Sequence, residues 1–262
     1  MSHEVEPSVD RLGLDGKVVL VTGAARGLGR AFCEVLAAHG TAVVAADIAE
    51  SRATVGSVAT AGGQALGVNL DVTDRASCES AVAATVDRFG RLDGLVNNAA
   101  LYATLSMTAF DRLADDEWEA AMDVNVTGVF NMCRAAVDAL KANGGSIVNI
   151  ASLAAVYGMA NSLHYTTSKA AVIGMTRGLA RELGRHWIRV NAVAPSAVRT
   201  EGTVQFFGDG VDRALDVIAG QQSLRRNLEP SDVAGTIVYL MSDASRFVTA
   251  QTILVDGGTI AT

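Results

Sequence analysis

Tyr165 and Lys169 stand four residues apart in the stretch HYTTSK, and Ser152 lies upstream at the end of an apolar run. On a helix, a spacing of four places both side chains on one face. A free phenol, with a pKa of about 10, is a poor base at neutral pH. A neighbouring ammonium favours the phenolate and lowers that pKa, so the phenol can take a proton from an alcohol or give one to a carbonyl oxygen. A serine hydroxyl beside that oxygen can steady the charge developing on it. Each residue also has a plainer reading. The pair can be an aromatic covered by a snorkelling lysine, and Ser152 can cap a turn.

A second cluster opens the chain. Gly23, Gly27 and Gly29 lie in TGAARGLG, between an apolar run and a helix-like segment. Glycine lets the backbone turn sharply and approach a pyrophosphate, while a helix N-terminus aims N–H groups at the anion. The spacing departs from the better-known Gly-x-Gly-x-x-Gly fingerprint, and a tight strand-to-helix turn without a ligand is the plainer alternative. Asp47 closes the second strand-like run, about twenty residues on, where a carboxylate accepts ribose hydroxyls and repels a 2′-phosphate. Ile48 follows it, so no basic side chain welcomes a phosphate there. The expected cofactor is NAD rather than NADP.

The bulk properties narrow the partners. The 262-residue chain carries a formal net charge of -7 and has no basic run, which excludes a nucleic-acid partner. Cys33, Cys78 and Cys133 are dispersed, which argues against a disulfide framework and a zinc site; no metal is expected. A reducing, cytoplasmic compartment fits. No segment offers the roughly 18 unbroken apolar residues of a membrane helix. Residues 1–13, with no apolar stretch, read as a loose leader rather than a signal peptide.

Strand-length apolar runs at 17–22, 41–46, 65–70, 92–96, 146–150, 189–193 and 252–255 alternate with helix-like segments. The longer helical patterns cover 27–40, 74–90, 115–142 and 162–184, the last carrying Tyr165 and Lys169. Near-continuous apolar strands separated by helices imply an α/β fold. It is a single-domain, Rossmann-type, doubly wound parallel sheet of about seven strands, with helices on both faces. Residues 14–262 are expected to form this domain. The stretch 200–223 breaks the rhythm; it is rich in Gly and Asp, holds Phe206 and Phe207, and reads as an irregular substrate lid.

Together, the TGxxxGxG loop and the YxxxK pair resemble the short-chain dehydrogenase/reductase family, single-domain branch, from about Leu14 to Gly258. The resemblance implies metal-free hydride transfer between a nicotinamide and a substrate carbon. It implies a catalytic set of Asn125, Ser152, Tyr165 and Lys169, in which Asn125 supports a water-linked proton relay to Lys169, and Lys169 also bonds the nicotinamide ribose. It assigns cofactor contacts to Gly23, Arg26, Gly27, Leu28, Gly29, Asp47 and Ile48. Asp71 and Val72 fall at the adenine, Asn98 and Ala99 at the cofactor wall, and Pro195, Val198 and Thr200 near the nicotinamide amide. Arg26 is in tension with the NAD reading, because an arginine in this loop reaches a 2′-phosphate in some members. Ala100 and Ser196 stand where the family usually has glycine.

Tyr102, Leu153, Ala154, Tyr157, Met159, Ser196, Phe206 and Phe207 flank the chemistry as the expected substrate pocket. They are mostly apolar and include no arginine clamp, which favours a hydrophobic secondary alcohol or ketone. An NADPH-dependent 3-oxoacyl-carrier reductase is the alternative, with Arg225 and Arg226 as a conceivable carrier-phosphate contact. A non-catalytic dinucleotide sensor is the alternative from another class. His164 faces away from Tyr165 and reads as packing or interface. By the same resemblance the chain is expected to be a homo-oligomer, with a tetramer favoured over a dimer.

Overall fold

The computed structural model describes residues 12–260. The expected leader therefore falls mostly outside the described residues. Its end does not hang free: the Leu12 carbonyl accepts a hydrogen bond from Asp243 N at 2.8 Å.

In chain order the elements are β1 (Val18–Thr22), α1 (Gly27–Ala38), β2 (Ala42–Asp47), α2 (Arg52–Thr60), β3 (Ala65–Asn69), α3 (Arg75–Phe89), β4 (Gly94–Asn97), α4 (Asp115–Met122), α5 (Gly128–Lys141) and β5 (Gly145–Ile150). They continue with α6 (Ala154–Tyr157), α7 (Leu163–Leu183), β6 (Ile188–Pro195), α8 (Glu201–Phe207), α9 (Val211–Gln221), α10 (Pro230–Met241) and β7 (Thr252–Val255). The strands form one parallel sheet of seven, in the order β3-β2-β1-β4-β5-β6-β7.

Period-two alternation divides the strand residues between two cores. Val18 and Leu20 of β1 join Val44, Leu95 and Ile147 beneath α3, α5 and α7, through Cys78, Val82, Met132, Leu140 and Val172. Val19 and Val21 join Val43, Val96 and Val148 on the other face, against Phe32 and Leu36 of α1 and Ile237 and Leu240 of α10. Burial on both faces is why these strands read as unbroken apolar runs.

Two expectations about local structure are corrected. Residues 115–142 are not one α-helix: a π-helical stretch, Asp123–Thr127, separates α4 from α5. Residues 200–223 are not irregular either, since they form α8 and α9. Thr200 starts α8 by accepting a hydrogen bond from Thr203 N. Gly208 and Gly210 sit between the two helices, where Gly208 adopts a φ of 54°, while Gly202 and Gly220 lie within them. Helix α10, which did not stand out in the sequence, begins with Pro230 at its first turn and a reciprocal Glu229–Asp232 capping box.

Winding reverses between β1 and β4, and the crevice at their carboxyl ends is held by Thr22. Its Oγ1 accepts hydrogen bonds from Asn98 N at 3.0 Å and Ala99 N at 2.9 Å. Thr22→Val keeps the side-chain shape and leaves both N–H groups without that partner. It is expected to lower the unfolding free energy by about 2 kcal/mol, measured by urea denaturation.

Candidate active site

The crevice opens into a cavity of about 870 Å³ that runs from the glycine loop to α7, α8 and α9. Gly23 has a φ of +65°, and a Cβ there would come within 2.8 Å of Ala99 Cα. Gly29 serves differently. It does not line the cavity; a Cβ on it would meet the Gly23 carbonyl oxygen at 2.2 Å, so its bareness lets α1 pack against the turn. Asn98 closes the arrangement by donating from Nδ2 to the carbonyls of Thr22 and Gly23, both at 3.0 Å.

Asp47 does more than face the cavity. Its Oδ2 accepts a hydrogen bond from Ala25 N at 2.8 Å and its Oδ1 one from Ala49 N at 2.9 Å, so the carboxylate braces the glycine loop. Arg26, Gly27, Leu28 and Ile48 line the same end. Asp71 and Val72 line the next stretch, with Asp71 Oδ1 held by Thr73 N and Thr73 Oγ1. Ala99, Pro195, Val198 and Thr200 line the cavity toward α7 and α8. Ala100 is not among the residues with positive φ, so nothing in the backbone here requires the usual glycine.

Tyr165, Lys169 and Ser152 converge at the inner wall. Lys169 is 3% exposed, and burial lowers its pKa to about 8. Its Nζ donates to the Ile150 carbonyl at 2.8 Å and lies 5.9 Å from the centroid of the Tyr165 ring. Burial pushes the Tyr165 phenol up to about 12, while its hydrogen bond with Ser152 acts in the opposite direction. The expected lowering of the tyrosine by its lysine is therefore not expressed in the protein alone. Desolvation prevails, and the amine spends its contact on a backbone carbonyl.

Asn125 stands behind the cavity rather than in it. It lies in the π-helical stretch and is fully buried. Its Oδ1 accepts from Leu101 N at 2.7 Å; its Nδ2 donates to the Leu101 carbonyl and to Ser168 Oγ, both at 3.1 Å. Ser168 Oγ in turn donates to the Tyr165 carbonyl at 2.8 Å. The carboxamide thus joins the loop after β4 to the helix that carries the phenol. π-Turns recur where a side chain must be re-aimed at a functional site.

On the remaining side, Tyr102, Leu153, Ala154, Tyr157, Met159, Ser196 and Phe207 line the cavity. Phe206 is a correction: it does not line the cavity but stacks behind Tyr102, with ring centroids 4.5 Å apart at 23°. Ile218 and Gln221 of α9, and Thr259 and Ile260 beyond β7, also line it and were not anticipated. The apolar positions of α9 were a usable signal, obscured by the glycines and aspartates around them. His164 lies off the cavity, 1% exposed, with Nε2 3.5 Å from Glu117 Oε1. Arg226 is bound to Asp232 at 2.5 Å. Among the described residues no cluster of three or more His, Cys, Asp or Glu could hold a metal ion, and no helix is long and apolar enough to cross a membrane.

The chain is similar to known proteins over nearly its whole length. Residues 23–259 match the family model described as enoyl-(acyl carrier protein) reductase. The chain is 41% identical to trans-4-hydroxycyclohexanecarboxylate dehydrogenase of Sinomonas cyclohexanicum, over 94% of this chain and 93% of that protein. It is 38% identical to a 3-oxoacyl-[acyl-carrier-protein] reductase of Thermotoga maritima, over 94% and 99% of the two chains. A solved short-chain dehydrogenase from Mycobacterium paratuberculosis bound to NAD superposes with a TM-score of 0.83 at 34% identity, covering 94% and 98%.

Gly29→Ala would drive a methyl group into the Gly23 carbonyl. The variant is expected to lose about 1–3 kcal/mol of stability in chemical denaturation and to bind a nicotinamide dinucleotide at least about tenfold more weakly in a fluorescence titration.

Proposed function

The chain belongs to the short-chain dehydrogenase/reductase family, and from that premise we propose an NAD-dependent oxidoreductase that interconverts a hydrophobic secondary alcohol and its ketone, with Tyr165 as general acid/base. The observation that carries this reading is the convergence of Tyr165, Ser152 and Lys169 on a cavity whose other end is closed by Asp47 and the glycine loop. The cradle suits a dinucleotide. Gly23 and Gly27 line the cavity with bare backbone, and Asp47 retains acceptor capacity beyond its two backbone donors.

In this reading Asp47 holds the adenosine ribose, and Asp71 with Val72 flanks the adenine. Asn98 and Ala99 shape the wall. Lys169 holds the nicotinamide ribose, and Pro195, Val198 and Thr200 border the amide. The nicotinamide, when bound, supplies the hydride acceptor or donor. The side chains manage the proton. In alcohol oxidation Tyr165 takes it from the hydroxyl, while Ser152 holds the same oxygen. In ketone reduction Tyr165 gives it back. A charged Lys169, one helical turn from the phenol, opposes the penalty that burial places on the phenolate. The substrate side supplies aromatic and aliphatic surface through Tyr102, Leu153, Tyr157, Met159 and Phe207, which suits a hydrophobic substrate. Homo-oligomeric assembly, with a tetramer favoured, belongs to the same family-based reading.

One observation favours a second reading. Arg26 projects, exposed, from the glycine loop with no ion pair among the described residues, and it could meet a 2′-phosphate. That would suit an NADPH-dependent 3-oxoacyl-carrier reductase. Cofactor preference separates the two. NAD⁺ reduction by aryl and alicyclic secondary alcohols is expected to exceed NADP⁺ reduction at least about tenfold in kcat/KM. Tyr165→Phe should lower turnover by a factor of about 10² to 10⁴. An NADP preference would instead select the carrier reductase.

The pH dependence has a definite sign. Burial holds Tyr165 protonated at neutral pH, so oxidation, which needs the phenolate, should accelerate as pH rises. Ketone reduction, which needs the phenol, should not. Ser152→Ala removes the hydrogen bond that opposes the burial effect. The alkaline limb of kcat/KM for oxidation should then move up by about one pH unit or more, from about 1.5–3 kcal/mol for a bond to a charged group at 1.36 kcal/mol per unit.

A further inference from the structure

Helix α8 has only seven residues, too few to persist without tertiary support. Part of that support comes through one ring. Tyr102 lies in the loop after β4 and stacks on Phe206 of α8 at 4.5 Å and 23°. Its other neighbour is Tyr165, at 5.1 Å and 42°. Phe206 meets Phe207 edge-on at 5.0 Å, and Phe207 lines the cavity. A single aromatic side chain therefore bridges the proton-transferring residue and the lid.

The loop is rigid where it presents this ring. Asn125 grips both the N–H and the carbonyl of Leu101, the residue just before Tyr102. Leu105 N donates to the Tyr102 carbonyl at 3.1 Å on the other side. The ring is half-buried, and burial raises the pKa of its phenol well above the ordinary value, with the Thr203 hydroxyl of α8 acting the other way. The contacts of Tyr102 run to α8 by stacking and to α7 by ring packing, while its backbone is fixed by the π-helical stretch.

We propose that Tyr102 latches the lid over the site and thereby sets the upper size of the substrate. This rests on the oxidoreductase reading given above. The cavity must take a dinucleotide as well as the substrate, and Tyr102, whose ring lies 5.1 Å from that of Tyr165, borders the part of it beside the phenol. Tyr102 and Phe207 bound that space, and both move if the Tyr102–Phe206 stack is lost. The substrate class is accordingly a compact, single-ring secondary alcohol or ketone rather than a fused-ring or long-chain one.

The test compares the parent enzyme with Tyr102→Ala, Tyr102→Phe, Phe206→Ala and the double alanine variant. Hydrogen exchange of the α8 amides reads the latch without any need for turnover. Tyr102→Ala and Phe206→Ala are each expected to speed it by up to about tenfold, with the double variant no faster than the faster single one. Tyr102→Phe, which keeps the ring, should exchange close to the parent. Unchanged exchange in Tyr102→Ala, or single effects that simply add, would overturn the latch. Kinetics on cyclohexanol and on a fused two-ring secondary alcohol read the size limit. Tyr102→Ala should raise KM for cyclohexanol more than it lowers kcat, and should shift the kcat/KM ratio at least about fivefold toward the two-ring alcohol. An unchanged ratio overturns the size limit. A parent that oxidises no secondary alcohol refutes the oxidoreductase reading instead, and the exchange comparison still decides the latch.

Discussion

The reversal of winding between β1 and β4 is the constraint on which the rest depends. Parallel strands joined by helices leave one gap where successive connections depart to opposite faces, and that gap lies at the carboxyl ends of the strands. Here Thr22 and Asn98 stitch its two banks together across β1 and the loop after β4. Every group with chemical potential is positioned relative to that seam. The glycine loop leaves one bank, the Tyr102 loop leaves the other, and α7 presents its phenol from the side.

Within the cavity, burial sets the resting state. It favours the neutral form of both ionisable groups on α7, raising the phenol and lowering the amine. With its pKa lowered only to about 8, the Lys169 amine still carries its charge at neutral pH, held by the Ile150 carbonyl rather than by a carboxylate. The phenolate is the charge the site must still gain, and the hydrogen bond with the Ser152 hydroxyl already favours it.

Much of this was legible in the sequence, for identifiable reasons. Val18 to Val21 could be read as a strand because both faces of the sheet are covered, leaving no polar residue to interrupt the run. Tyr165 and Lys169 could be paired because helical spacing is a local property. Helices α8 and α9 were missed because Gly208 and Gly210 punctuate them, and punctuation reads as irregularity when the pieces are short. The π-helical stretch around Asn125 was invisible for another reason. Its register is imposed by tertiary hydrogen bonds to Leu101 and Ser168, which no local pattern records. Phe206 and Phe207 were placed in the pocket together because the segment read as irregular; on helix α8 successive residues point about 100° apart, and only Phe207 lines the cavity.

The double duty of Asp47 constrains how this protein could change over generations. A substitution there would alter more than the ribose contact proposed for it, because the same carboxylate braces Ala25 and Ala49. A lineage moving toward another cofactor by that single exchange would pass through a form with a slackened glycine loop. Arg26, exposed and without an ion pair among the described residues, offers a path that leaves the brace in place. Variation in cofactor choice should thus be easier to accumulate on the rim of this loop than at its anchor.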